Sequence, residues 1–502
     1  MSDILHGGRL HKVRQDVAQF TSSIKHDSRL LDAVIAINKA HVVMLIEQKI
    51  IKRSDGEKIL QALNNVSKMQ LDPSAEDVHM FVEEAVLKEV GLEVGGNLHI
   101  AKSRNDQVAT AIRMALREEL ISLMRSLAHF QEHLAETAEE HLESVILEYT
   151  HLQPAQPVTF AHYLLSYFDA LTRDFQRIKE AFERVNQSPL GSCALATTSF
   201  PINRDRTSDL LGFNNIVENS LDAVGSRDFI IETISALNLT AVNLSRLAED
   251  LIIWSTPDFG VIELPDEFTS TSSIMPQKKN AEILEVIRAR ASDVLGNLMA
   301  SVATVKNLPT TYNLDFQEIT PKLWESIEIV KTSLDMLHKL LPKITVNGNV
   351  TKKAAEGFVG ATELANVLVR KYDVSFRSAH KIVGALVKSL GDSKLTFNET
   401  TPELLKRVAK ESSGIELSVK KEDISDLFDP LKLVKANNVK GGPSPDVVKK
   451  AIEARMKLVF RTKSNISDVD KEVREAENRL ETAVKSFLPS NERENANLKN
   501  QS

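Results

Sequence analysis

Cysteine is nearly missing from this chain, with one residue, Cys193, in 502. A single thiol excludes an intrachain disulfide framework and fits a reducing compartment. Glycine is scarce as well, 19 residues, below the usual share of about 7%. No run approaches the roughly 20 apolar residues of a membrane span, and the opening MSDILHGGRLHKVRQDV lacks an apolar signal core. A net charge of −7, with basic residues interspersed among acids, argues against a nucleic-acid surface. Hydrophobic residues make up 42% and charged residues 26%. Those shares describe an ordinary globular chain, long enough for two to four domains. The expectation is a soluble cytoplasmic protein, with neither nucleic acid nor membrane as partner.

The scarcity of helix breakers shapes the rest. Between Gly96 and Pro154 there is no Gly or Pro, and Ile112, Leu116, Leu120, Leu123, Leu127, Phe130 and Leu134 recur at steps of four and three. That spacing is the seam of a long packed helix. Helical from Gln107 to Leu147, it would span about 60 Å. Similar runs cover 158–188 and 226–256, a fourth begins after Pro276, and a fifth covers 322–341. Helices of that length cannot each bury a face in a small globule, so an all-α, elongated bundle pairing with other subunits is expected. The expected division is an N-terminal helical domain at 1–106, the bundle at 107–350 and a C-terminal helical domain at 351–502. Turn material stands at Asn437-Asn438 and at GGPSP, 441–445. A charged tail begins near 463, with one amphipathic stretch, 469–487, and a polar end expected to fray.

Three clusters could carry chemistry. In TSSIMPQKKN, 271–280, Ser272 and Ser273 precede a Met-Pro break, and Lys278, Lys279 and Asn280 lead into a helix-compatible run. A helix mouth favours anions, so Lys278 and Asn280 could hold a carboxylate while a serine oxygen works on a neighbouring C–H. In EYTHLQPAQPVTFAH, 148–162, Thr150 and His151 offer a hydroxyl and an imidazole, expected at the end of the long helix. In GGNLHIAKSRNDQVAT, 95–110, Ser103, Arg104 and Asn105 suit a dicarboxylate, with Asp106 capping the helix that follows. The H-x-x-E-H string at 129–133 lies mid-helix without an obvious third ligand and reads as a solvated face, not a metal site. No P-loop, dinucleotide fingerprint or nucleophile elbow is present.

These strings resemble the fumarase/aspartase superfamily, and MPQKKN in particular resembles its argininosuccinate lyase branch. THLQPAQP, SRNDQVAT, NLSRLAEDLIIWSTPDFGVIEL (243–264) and YNLDFQE (312–318) extend the resemblance from about residue 5 to about 450. It implies an all-α homotetramer with active sites where three subunits meet. The implied reaction is reversible cleavage of argininosuccinate to arginine and fumarate, without metal or organic cofactor. By position, Ser272 would be the base, and Lys278, Asn280 and Thr150 would stabilise the carboxylate. His151, oriented by Glu285, would handle the proton of the leaving nitrogen. Ser103, Arg104, Asn105, Tyr312 and Gln317 would bind substrate, and HGGRL with FTSSIKHD points to Ser23 and Asp27 for the arginine half. SRDFIIE, 226–232, offers Arg227 and Asp228 without a clear role.

The chain departs from the family pattern at several places. Thr271 and Ala281 replace Gly and Pro around the signature loop, which should stiffen it. Glu148 stands for Gly, and Ile100-Ala101-Lys102 for Thr-Gly-Arg. Thr320 stands where a Lys is common, and either Lys322 substitutes or that contact is missing. Two alternatives remain: another elimination of the superfamily, such as adenylosuccinate cleavage, and a non-catalytic, crystallin-like structural role.

Overall fold

The structure, a computed structural model, describes residues 14–348, 354 and 357–489; the HGGRL string lies outside them. Helix α1, Leu31–Glu47, is apolar on almost every side and buried nearly throughout. Helix α2, Val78–Val90, starts at Asp77, whose carboxylate caps it by accepting from the Met80 N–H. Helix α3, Arg104–Glu140, carries the predicted seam: Ile112, Leu116, Leu120, Leu123, Leu127, Phe130 and Leu134 are each at most 2% exposed.

The long helix ends at Glu140, short of the expected Leu147. After His141 the β-branched pair Val145-Ile146 and Tyr149-Thr150 favour extended backbone. Strand β1, Val145–Thr150, pairs antiparallel with β2, Gln153–Thr159. Thr150 and His151 therefore stand at a hairpin tip, not at a helix end. The other expected runs appear as helices α4, Phe160–Val185, and α5, Asp228–Ser255. A two-residue ladder, β3 (Ser270–Thr271) with β4 (Lys279–Asn280), precedes α6, Glu282–Val305, and α7 spans Thr320–Leu340.

Helix α5 packs against α4, α6 and α7, and α3 packs against α4 and α7. The longest helix is α8, Pro445–Phe487, not the run after Gly96. It begins directly after the GGPS turn and runs unbroken through the stretch expected to start at 469. Val448, Ile452, Val459, Ile466, Val473, Leu480 and Val484 repeat at steps of four and seven and bury against the bundle, chiefly α3. The charged residues of this segment are the outer face of a core helix.

The core around α3 also takes in buried residues between 30 and 86, so both sides of the expected boundary at 106 share it. A second core joins buried residues between 364 and 433. We propose dividing the chain by packing, into a main body that includes α8 and a separate unit around 361–436. Helix α6 is the least covered member of the bundle: Val286, Leu295, Met299 and Val302 are exposed, Met299 by 62%, as are Leu239 and Val242 of α5.

If α8 belongs to the core, Ile466→Val should cost about 0.5–1.5 kcal/mol, while Ile466→Asp, burying an unpaired charge, should prevent stable folding. Thermal denaturation checks both, and a well-folded Ile466→Asp protein would remove α8 from the core.

Candidate active site

A cavity of about 450 Å³ opens where the segment before α1, the start of α2, the start of α3 and the loop before α7 meet. Its lining joins five residues expected from sequence, Ser23, Asp27, Arg104, Tyr312 and Gln317, with three that sequence reasoning left without a role: Asp77, His79 and Arg227. Ser23 and Asp27 sit four apart about a tight 3-10 turn, Ile24–Leu30. Ser23 Oγ donates to Asp27 Oδ2 at 2.7 Å, and the Val78 N–H reaches the same oxygen at 3.2 Å. Burial pushes the Asp27 carboxyl up to about 6 despite those two bonds.

Arg104, the first residue of α3, pairs through Nη1 with Asp77, so the cap of α2 is also the partner of this arginine. Gln317 Nε2 donates to the Thr21 carbonyl at 2.8 Å. Thr320 lines the cavity with its hydroxyl turned back to the Phe316 carbonyl, 3.4 Å away. Lys322 is not part of the lining.

Behind this wall the N-terminus of α3 is locked in place. Ser103 Oγ accepts from the Asn105 N–H, and the Ser103 N–H donates to Asp106 Oδ1 at 3.0 Å, closing the predicted cap as a capping box. The other oxygen of Asp106 accepts from the Gly191 and Cys193 N–H groups at 3.0 and 2.8 Å. Asn105 Nδ2 donates to the Ala194 carbonyl at 2.9 Å, so its amide is engaged by the same loop. Asp106 is fully buried, and burial raises its carboxyl to about 6. Lys102 is buried too, donates to Asn38 and is lowered to about 7 by burial.

Thr150, His151, Ser272, Lys278 and Asn280 sit on two exposed hairpins. His151 and Leu152 form the two-residue turn between β1 and β2, with φ of 56° and 58°. That is the left-handed region such turns require at both central positions. Both residues are exposed, so the imidazole is presented outward. Glu148, earlier on β1, is half-buried, and burial together with nearby Asp250 raises its carboxyl to about 7.

In the signature loop, Thr271 pairs with Lys279 across the β3–β4 ladder, so Ser272 and Lys278 are the next residues on its two arms. Ser272 Oγ accepts from the Ile274 and Met275 N–H groups at 3.2 and 3.0 Å. Lys279 is engaged by Asp266 at 2.6 Å, whereas Lys278 extends from the exposed tip. Asn280 reaches Ser270 Oγ at 3.5 Å. Glu285, in the first turn of α6, is exposed. Among the described residues no hydrogen bond or ion pair joins His151, Ser272 and Glu285 to one another, and none of them lines the cavity. The H-x-x-E-H string is used otherwise: Glu132 pairs with Lys463, and His133 stacks on His338 at 4.0 Å.

Residues 8–296 match the lyase family and residues 358–435 the argininosuccinate lyase C-terminal family, the latter nearly coextensive with the second core. An argininosuccinate lyase of Methanocaldococcus jannaschii is 43% identical over 98% of this chain and 100% of its own length. That of Methanothermobacter thermautotrophicus is 43% identical over 89% and 97%. This chain belongs to the argininosuccinate lyase family. Among solved structures, an EDDS lyase variant with bound fumarate aligns with a TM-score of 0.86 and 30% identity over 92% of each chain. A class II fumarase from Schistosoma mansoni, 17% identical with a TM-score of 0.70 over 84% of this chain and 94% of its own, shares the fold. The argininosuccinate lyase fold of this chain is thus the all-α fumarase/aspartase bundle. No helix among the described residues is long and apolar enough to cross a membrane.

Asp106→Asn turns one acceptor oxygen into a donor facing backbone N–H groups. Leaving at least one of them unsatisfied should cost about 1–3 kcal/mol, read as a lower thermal midpoint. An unchanged midpoint would show that Asp106 does not anchor this wall.

Proposed function

We propose that this chain cleaves argininosuccinate reversibly to arginine and fumarate. The observation that supports this most directly is the β3–β4 hairpin, which puts a serine oxygen already receiving two backbone N–H groups one ladder step from a lysine. The reaction removes a weakly acidic proton from the carbon between a carboxylate and the nitrogen-bearing carbon. The resulting dianionic carboxylate form must be stabilised electrostatically. Ser272 is the base; the Ile274 and Met275 N–H groups and Lys278 favour its ionised oxygen. Lys278, Asn280 and Thr150 hold the carboxylate on which charge builds. The C–N bond then breaks, its electron pair leaves with the guanidino nitrogen, and His151, set by Glu285, supplies the proton that nitrogen takes up. A C=C bond forms and fumarate is released.

The cavity around Asp27, Asp77, Tyr312 and Gln317 takes the arginine half, with Ser103, Arg104 and Asn105 at its edge. Because Ser272 and His151 project from exposed hairpins away from that cavity, the complete site is composite. We infer a cytoplasmic homotetramer whose contact faces include the uncovered apolar stripe of α5 and α6.

Fumarate absorbance should appear with argininosuccinate and not with adenylosuccinate; release from the second substrate alone, or from neither, would replace this reading. Ser272→Ala should lose nearly all turnover with folding and assembly intact. A variant keeping more than about a tenth of wild-type kcat, a barrier change under about 1.4 kcal/mol, would remove Ser272 as the base.

Mixing is the test of the composite site. His151→Asn and Ser272→Ala proteins, each inactive, partly unfolded and reassembled together, should recover a fraction of activity. No recovery in mixed tetramers verified by native mass spectrometry would place the site within one subunit.

A further inference from the structure

Two arginines line the cavity, and they are not equivalent. Arg104 is neutralised by Asp77, while Arg227, 1% exposed, has no carboxylate partner among the described residues. Its Nη1 donates to the Val224 and Ser226 carbonyls at 3.3 and 2.7 Å, and Nε and Nη2 are buried without a hydrogen-bond partner among the described residues. A buried cation left this incomplete is costly unless something else supplies the negative charge.

The surroundings show where that charge would enter. The guanidinium lies 4.7 Å from the centroid of Phe316, whose ring meets that of Tyr312 edge-on. The backbones are pressed together at the same place, since a Cβ on Gly225 would fall 2.9 Å from Thr311 Cα. Tyr312 is thereby fixed beside Arg227, and among the described residues its hydroxyl makes no hydrogen bond. Positive charge behind a phenol makes its O–H a stronger donor. The same cavity is lined by the carboxylates Asp27 and Asp77. A cavity that offers both signs of charge suits a ligand carrying both an ammonium or guanidinium group and a carboxylate. Among the described residues that line the cavity, Arg227 is the arginine that no carboxylate neutralises.

We propose that Arg227 is a positioning residue that, through the Tyr312 hydroxyl, selects the α-carboxylate of the arginine half of the substrate. This rests on the argininosuccinate-cleaving reading, which the fumarate assay judges separately. The enzyme would thus discriminate against the same chain lacking its carboxylate.

Calorimetric binding to the intact tetramer, independent of turnover, decides the matter with two probes: arginine, and agmatine, its decarboxylated counterpart. Wild type should bind arginine at least about tenfold more tightly. Arg227→Gln, which can still donate to the Val224 and Ser226 carbonyls, should bring that ratio close to one, and Arg227→Lys should keep part of it. Tyr312→Phe, at a half-buried position, should narrow the ratio as well. A merely structural arginine would weaken both ligands equally and leave the ratio intact, which overturns the proposal. Wild type binding agmatine as well as arginine overturns it without any variant, so a misfolded Arg227→Gln protein does not shield it. Absence of fumarate release with the arginine preference intact would instead sink the proposed reaction and spare the carboxylate selection.

Discussion

One buried carboxylate organises the wall on which the cavity is built. Asp106 receives N–H groups from Ser103, Gly191 and Cys193, tying the first turn of α3 to a distant loop. Burial raises this carboxyl to about 6, so its neutral form is the one the interior favours. The stability linked to that preference is present below the ordinary carboxylate range and is lost as pH rises through about 6. The three donors offset part of the cost of the charge above that pH. Ser103, Arg104 and Asn105 hold their positions because the residue after them is held.

Buried arginines repeat a second theme. Arg113, Arg117 and Arg227 each donate to backbone carbonyls and lie over an aromatic ring, Phe229, Phe213 and Phe316 respectively. A planar guanidinium can satisfy carbonyls at helix ends and stack at once, which an ammonium cannot. Arg117 is well supplied, with three acceptors. Arg227 is the least complete, with Nε and Nη2 both unpartnered among the described residues, and it faces the cavity that Tyr312 also lines.

The separation between the cavity and the two hairpins follows from the length of the helices. At about 1.5 Å per residue, α3 alone is about 55 Å long. It begins at the cavity wall, and the hairpin bearing His151 follows its far end. A rod with chemistry at distant points is the geometry behind the proposed composite site, in which antiparallel neighbours would bring those points together. The exposed apolar residues on α5 and α6 are the surface on which such neighbours would pack.

Much was legible in residue order alone. Spacing of Leu and Phe located α3, and the absence of Gly and Pro located α4, α5 and α7 to within a few residues, because helix formation is a local decision reinforced by one apolar face; α6 was marked only by its start after Pro276, and it runs through Gly296. Ser103-x-x-Asp106 announced its own cap for the same reason. Other features were decided only by tertiary structure. The turn to strand at Val145 and the placement of His151 on a hairpin depend on pairing with Gln153–Thr159, which lie beyond helical reach. The charged residues after 463 read as a tail until α3 supplied the surface that buries Ile466 and Val473. No local signal assigns Asp77, His79 and Arg227 to the cavity, since they meet Tyr312 and Asp27 there from distant parts of the chain. Local order specifies which segments become helices; which side chains share a cavity is set by how those rods cross, and the chain records that only through packing.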